Sequence, residues 1–146
     1  MQRSMLICLI AAGMGLAACK QEFQPVKYGY DACTYCKMTV MDKRFAAEIV
    51  TKKGRTYVFD DMACLLSYMK AGENGRDIAA IFVSNYNNPE GKFLDAYQAV
   101  YFRGEAFKSP MNGNYAAFAH GSAAAPAGGG LQEGPLNWND LQSTKH

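Results

Sequence analysis

The sequence predicts an α+β fold, with two small ββαβ-type units forming one compact domain. Three observations point there. Residues 44–59 read as two short strands around the turn Lys52-Lys53-Gly54-Arg55. A helical stripe over Met62–Met69 and a continuous apolar run over Ile78–Val83 follow. From Lys92 onward the same order returns in weaker form: two strand-like stretches, a short helix and a last strand. The repeat is one of element order; the residues themselves do not repeat.

In chain order, residues 1–18 form a leader rather than part of the fold. Arg3 supplies a basic start, and Met5–Leu16 is an apolar run too short to span a bilayer. Leu16-Ala17-Ala18-Cys19 then resembles a bacterial lipoprotein signal, in which cleavage leaves Cys19 as the lipid-bearing terminus. An ordinary secretory signal is the plainer alternative, and either one places the mature chain outside the cytoplasm. The expected location is the periplasm, with the chain held to a membrane through Cys19. Lys20 stands where some bacteria use an aspartate to retain lipoproteins in the inner membrane, which favours the outer membrane. Residues 19–30 read as a tether in which Pro25 discourages helix. Residues 31–146 form the domain.

That domain opens on Cys33-Thr34-Tyr35-Cys36-Lys37-Met38, three sulfur atoms in six residues, placed in a loop. Thr39–Met41 is expected to begin a strand. Phe45, Ala47 and Ile49 then alternate with Ala46, Glu48 and Val50, and Gly54 supplies the positive φ of a hairpin before Thr56–Phe59 return. Asp60-Asp61 is suited to cap a helix by accepting its first free N–H groups. In that helix Met62, Leu65, Leu66 and Met69 follow the i, i+3, i+4, i+7 rule and face the sheet. Cys64 falls off the stripe in the first turn, where the helix dipole favours its thiolate. Ile78–Val83 reads as a buried strand, and Lys92–Asp95 with Tyr97–Arg103 as a second hairpin-like pair. Tyr115–His120 reads as a short helix, and residues 121–130 as a flexible Ala/Gly loop. Leu136–Asn139 reads as an edge strand returning Trp138 to the core.

Composition sets limits on function. With 49% hydrophobic and 19% charged residues the chain is globular, and a net charge of +2 without a basic, aromatic-rich stripe gives no case for nucleic acid. His120 and His146 lack companion motifs, and no nucleophile, base and orienter are grouped, so the expectation is a binding protein rather than an enzyme. Once Cys8 leaves with the leader and Cys19 carries lipid, Cys33, Cys36 and Cys64 remain. Three thiols cannot all pair within one chain.

For Cys33 and Cys36 four fates compete. They are a plain disulfide, a thioredoxin-like redox pair, a zinc half-site and a soft-metal site. The redox pair wants a helix directly after the motif, and zinc wants a fourth nitrogen or sulfur. Thiolates beside a thioether suit Cu(I), and Met38 at i+2 from Cys36 lies on the same face of an extended segment. Met111, in the loop Ser109-Pro110-Met111-Asn112-Gly113, is an odd place for a core filler and is a further candidate ligand. Met41, Met62 and Met69 read as packing.

Taken together, several elements resemble the NosL family of copper-binding lipoproteins associated with nitrous oxide reductase. They are the lipoprotein start, Asp31-x-Cys33-x-x-Cys36-x-Met38, Arg44-Phe45-Ala46-Ala47-Glu48, Tyr57-x-Phe59-Asp60-Asp61-x-x-Cys64 and Ser109-Pro110-Met111. The resemblance spans roughly residues 28–120. It implies paired ββαβ units and a periplasmic Cu(I) chaperone acting in nitrous oxide reductase maturation. The implied partners are that reductase and a periplasmic copper-handling protein attached to an ABC transporter. The family's Cys-x-Met falls on Cys36 and Met38, and its loop methionine on Met111. Many members carry glycine where this chain has Lys37, and Cys33 is an addition. The ligands implied are thus Cys36, Met38 and Met111, or a Cys33–Cys36 thiolate pair assisted by methionine or Cys64. A periplasmic thiol-disulfide oxidoreductase using Cys33 and Cys36 is the alternative of a different class.

Overall fold

The computed structural model describes residues 22–72, 77–121 and 130–143. The leader, and nearly all of the Ala/Gly loop, lie outside the described residues. Nine elements follow in order: β1 (Ala47–Thr51), β2 (Thr56–Phe59), α1 (Met62–Lys70), β3 (Ile78–Val83), β4 (Leu94–Asp95), β5 (Val100–Gly104), β6 (Tyr115–Phe118), β7 (Leu131–Leu136) and α2 (Trp138–Ser143). They build two antiparallel sheets, ordered β2-β1-β3-β4 and β6-β5-β7. In each, the first strand is central, its hairpin partner lies on one side and the third strand on the other. The expected pair of units is therefore present as a repeated strand order. In the first unit α1 connects the second and third strands, whereas α2 follows the third strand of the second unit.

The β1–β2 hairpin forms as its alternation predicts, with Gly54 at φ 78 in the turn. The strand begins three residues later than expected, because Asp42–Phe45 is a turn closed by Phe45 N–H to Asp42 O. Thr39–Met41 contributes only an isolated bridge, Thr39 opposite Ala32. Other departures trace to non-local pairing. Lys92–Asp95 does not form a hairpin with Tyr97–Arg103; β4 pairs with β3 and β5 heads the other sheet, so residues 96–99 cross between them. Tyr115–His120 is a strand, not a helix: β6 registers against β5 from Arg103↔Tyr115 to Val100↔Phe118, and all four of its residues are buried. Trp138 does return to the core, but on a helix whose first turn is capped by Asn137, with Asp140 bonding back to the Asn137 N–H at 2.7 Å.

The central strand β1 is buried on both faces. Ala47 and Ile49 share one face with their partners Phe59, Tyr57, Ile81 and Val83, and α1 covers it, with the Tyr68 ring 5.2 Å from Phe59. The other face carries Glu48 between Val58 and Phe82. Residues of the expected tether cover this side: Phe23 stacks on Phe93 at 4.0 Å and meets Phe82 edge-on, and Val26 is buried. From Phe23 on, the segment is therefore a strap belonging to the fold.

Glu48 lies fully buried beneath that strap. Its Oε1 accepts the Gln24 N–H at 2.9 Å, while Oε2 has no partner among the described residues. Burial, reinforced by Asp31, pushes its carboxyl up to about 7 from 4.5, against the Gln24 N–H that favours the ionised form. Between those values the folded state holds a proton that the unfolded chain has released, so stability falls as pH rises through the window and levels off above it. The loss for this one group is up to about 3 kcal/mol. Glu48→Gln stays neutral, so between about pH 5 and about pH 8 the wild-type urea midpoint should lose ground to that of the variant as pH rises, other titrating groups being common to both. Midpoints that run parallel across the window would assign the titration elsewhere.

Candidate metal centre

The sulfur loop is held by backbone pairing. Gly29 N–H bonds to Val40 O and Val40 N–H to Asp31 O, both at 2.9 Å, laying the two arms of the loop side by side. Cys33 N–H reaches Met38 O at 2.8 Å and Lys37 N–H reaches Cys33 O at 3.0 Å, which closes residues 33–38 into a tight turn. Thr34 N–H bonds to Val58 O at 2.7 Å and hangs this turn on the edge strand β2. Lys37 completes it at φ 66, a left-handed conformation that costs a lysine about 1 kcal/mol and a glycine almost nothing.

Asp61 joins the loop's surroundings. It is 1% exposed, and both carboxylate oxygens are used. Oδ1 accepts Cys64 N–H at 3.0 Å, the capping bond expected from sequence. Oδ2 accepts Ser109 Oγ–H at 2.8 Å and Met111 N–H at 3.0 Å, which sequence reasoning missed. The Ser109–Asn114 loop folds on itself through Asn114, whose side-chain oxygen accepts Ser109 N–H and whose N–H donates to Ser109 Oγ. Gly113 presses this loop onto the helix: a Cβ there would sit 2.7 Å from Ala63 Cβ. One carboxylate therefore fixes both the first turn of α1 and the Pro110-Met111 loop.

Cys33, Cys36 and Cys64 converge at this junction. All three are free thiols, and their sulfur atoms lie within 4.8 Å of one another. Cys33 and Cys64 are buried and Cys36 is half-buried. Negative charge settles on Cys33. A hydrogen bond from the Cys64 thiol lowers Cys33 to about 5 in spite of burial, and backbone N–H groups of Cys36, Asp60 and Tyr35 add to it. Cys64 is pushed up by the same bond, by burial and by Asp61. Cys36 is raised mainly by burial. This corrects the expectation that the helix dipole makes Cys64 the thiolate: next to two anionic neighbours in a dry site, it is the proton donor. Asp60, buried and facing Cys33, is raised to about 6.

The methionines are placed differently. Met38 and Met111 stand at the surface, 57% and 39% exposed, on the two loops that frame the cysteines. Met62 is buried as expected and Met69 packs against the core. Met41 is not core; Val40 takes the inward position and Met41 is 66% exposed. His120 lies apart from the thiols, on a pocket with Val100 and Leu136. Among the described residues no histidine or carboxylate joins the three sulfurs as a fourth ligand. Three soft donors suit a metal content with low coordination number better than tetrahedral zinc.

Asp61→Asn tests the junction. The amide keeps one acceptor and turns an NH₂ group towards donors on the other side. The variant should lose about 2–3 kcal/mol in urea denaturation, with amide exchange accelerated in residues 109–114 and in the first turn of α1. Unchanged exchange in the loop would mean that Asp61 is a helix cap only.

The NosL family model matches residues 28–127. No curated protein matches the chain. Among solved structures, the crystal structure of the copper chaperone NosL from Shewanella denitrificans is similar at a TM-score of 0.57 and 18% identity, over 68% of this chain and 79% of that one. At that identity the likeness is one of fold, and it accords with the two-unit architecture. The family match covers most of the chain, including both framing loops and all three converging cysteines: this protein belongs to the NosL family.

Proposed function

We propose that the chain is a copper chaperone, taking Cu(I) as cargo on Cys33, Cys36 and Cys64 and releasing it past Met38 and Met111. The observation that carries this reading is the three-thiol cluster at one lip of the domain. Metal–sulfur bonds of about 2.3 Å hold three sulfurs about 4 Å apart around one ion, so the observed spacing needs only a slight contraction. A copper chaperone of the same fold supports the choice of metal.

Cu(I) is the oxidation state that thiolates and thioethers favour. Cys33 already carries charge and supplies the first bond. Binding then displaces protons from Cys36 and Cys64, because the ligands must be thiolates. A cage of four thiolates would retain the ion; three leave it open to an incoming sulfur, so transfer proceeds by ligand exchange with no redox step. The half-buried Cys36 and the exposed thioethers lie on the side an acceptor can approach.

In the cell we place the protein in the periplasm, anchored through lipidated Cys19. It would pass copper to the ABC-transporter-associated copper-handling protein and so to nitrous oxide reductase. The leader residues and the family membership support this placement. A thiol-disulfide oxidoreductase would use Cys33 and Cys36 alone and has no role for Cys64 or the exposed methionines.

Competition against a Cu(I) chelator under reducing conditions tests the reading. The wild-type chain should bind one Cu(I), and Cys33→Ser, Cys36→Ser and Cys64→Ser should each weaken binding at least about tenfold, or roughly 1.4 kcal/mol. Met38→Leu and Met111→Leu should chiefly alter the transfer rate. Reduced protein that takes up no Cu(I), or that ignores both methionine changes in affinity and in rate, would remove the proposal and favour the redox enzyme.

A further inference from the structure

On the flank where β2 meets α1 lies an open pocket of about 480 Å³, contiguous with the sulfur loop. Tyr35 and Lys37 enter it from that loop, Arg55 and Tyr57 from β2, and Tyr68 from α1. Two cations and three phenols thus line it, and among the described residues no carboxylate does. Lys37 Nζ donates to Thr34 O at 2.6 Å, and the Arg55 guanidinium lies 5.0 Å over the Tyr57 ring. Lys43–Glu90, Arg44–Asp42 and Arg103–Glu133 are ion pairs of the described residues. None of the three uses Lys37 or Arg55, so neither cation is matched by a carboxylate in those pairs.

The placement of Lys37 adds to this. It stands between Cys36 and Met38 and accepts a left-handed backbone that a glycine would adopt more cheaply, yet it puts a cation at the mouth of the pocket. Tyrosines with arginine are the residues that anchor protein interfaces, since they supply rigid area with little entropy to lose. Guanidinium and ammonium groups in a concave site recognise carboxylates.

We propose that this pocket is the docking site for an acidic segment of a partner protein, whose carboxylate enters between Lys37 and Arg55. Its meaning as the place where a copper acceptor seats itself rests on the function proposed above, whereas anion recognition by the pocket does not. A carboxylate held there lies beside the sulfur loop, so the partner's own donors are brought to the half-buried Cys36. Opposite charges also raise the encounter rate and fix the orientation of approach.

The experiment uses the reduced, metal-free protein, ¹⁵N-labelled, titrated with a short peptide of alternating glutamate and glycine. Saturable shifts are expected at the amides of Tyr35, Lys37 and Tyr57 and at Arg55 Nε–H. Lys37→Gln or Arg55→Gln should weaken the peptide by about tenfold, and physiological salt should weaken it markedly. Lys53→Gln, a neighbouring surface charge outside the pocket, should leave it nearly unchanged. Three results would overturn the proposal: no saturable shift at these residues with millimolar peptide, equal loss in Lys53→Gln (diffuse charge), or inorganic phosphate or phosphatidylglycerol vesicles reproducing the shifts while the peptide does not. Because copper is absent, failure here leaves the chelator competition untouched, and failure there leaves this titration readable.

Discussion

The buried carboxylate of Asp61 is the constraint on which the site depends. A helix start leaves backbone N–H groups without partners, and a loop that crosses onto another element brings more of them. Asp61 satisfies both sets at once, Cys64 with one oxygen and the Ser109–Met111 loop with the other. Cys64 sits in the first unit's helix, whereas Ser109 and Met111 come from the β5–β6 connection of the second. The carboxylate therefore couples the two units at the point where the sulfur atoms gather. Loss of one partner would leave a buried charge with unsatisfied capacity, which is more costly than the bond itself is stabilising.

The sulfur cluster follows from what this junction excludes. Three thiols enclosed together cannot all ionise, because like charges in a site of low dielectric repel strongly. One thiolate forms where hydrogen bonds converge, at Cys33, and its neighbours stay protonated to serve it. An arriving soft cation reverses this arrangement, since its charge compensates what the protons compensated before. Affinity is accordingly linked to pH through the displaced protons, while selectivity comes from sulfur and from the absence of a fourth hard donor among the described residues.

How much of this was legible in the residues depends on distance along the chain. The β1–β2 hairpin, the Asp61 cap and the stripe of α1 are local, and each was read nearly as it stands. β6 was not, because Tyr115-Ala116-Ala117-Phe118 satisfies a short helix as well as a strand, and only pairing with β5 decides between them. The protonation of Cys64 escapes a local reading for the same reason. The helix-dipole argument for Cys64 uses its own turn, whereas the deciding neighbour, Cys33, arrives from a separate loop. Met41 reads as packing by residue type, whereas the alternation that puts Val40 fully inside turns its neighbour outward. The convergence of Cys64 on the Cys-x-x-Cys pair had no local signal beyond the shared presence of three cysteines.

Two departures from the easiest local choice lie close to the site, and they differ in kind. Glu48 is a carboxylate in a central strand between Val58 and Phe82, where an apolar residue would pack without any desolvation cost. Its one bond among the described residues goes to the strap at Gln24, so the polar group specifies where the chain enters the fold. Lys37 takes a backbone conformation that glycine would take more readily, and it does so inside the sulfur loop. Neither choice improves packing. Both place an ionisable group where an adjacent segment, the strap in one case and, as proposed above, an approaching surface in the other, must answer it. The sulfur loop is anchored on one flank by the edge strand β2, through Thr34 N–H and Val58 O, and on the reading proposed above Lys37 turns its other flank to a partner of complementary charge.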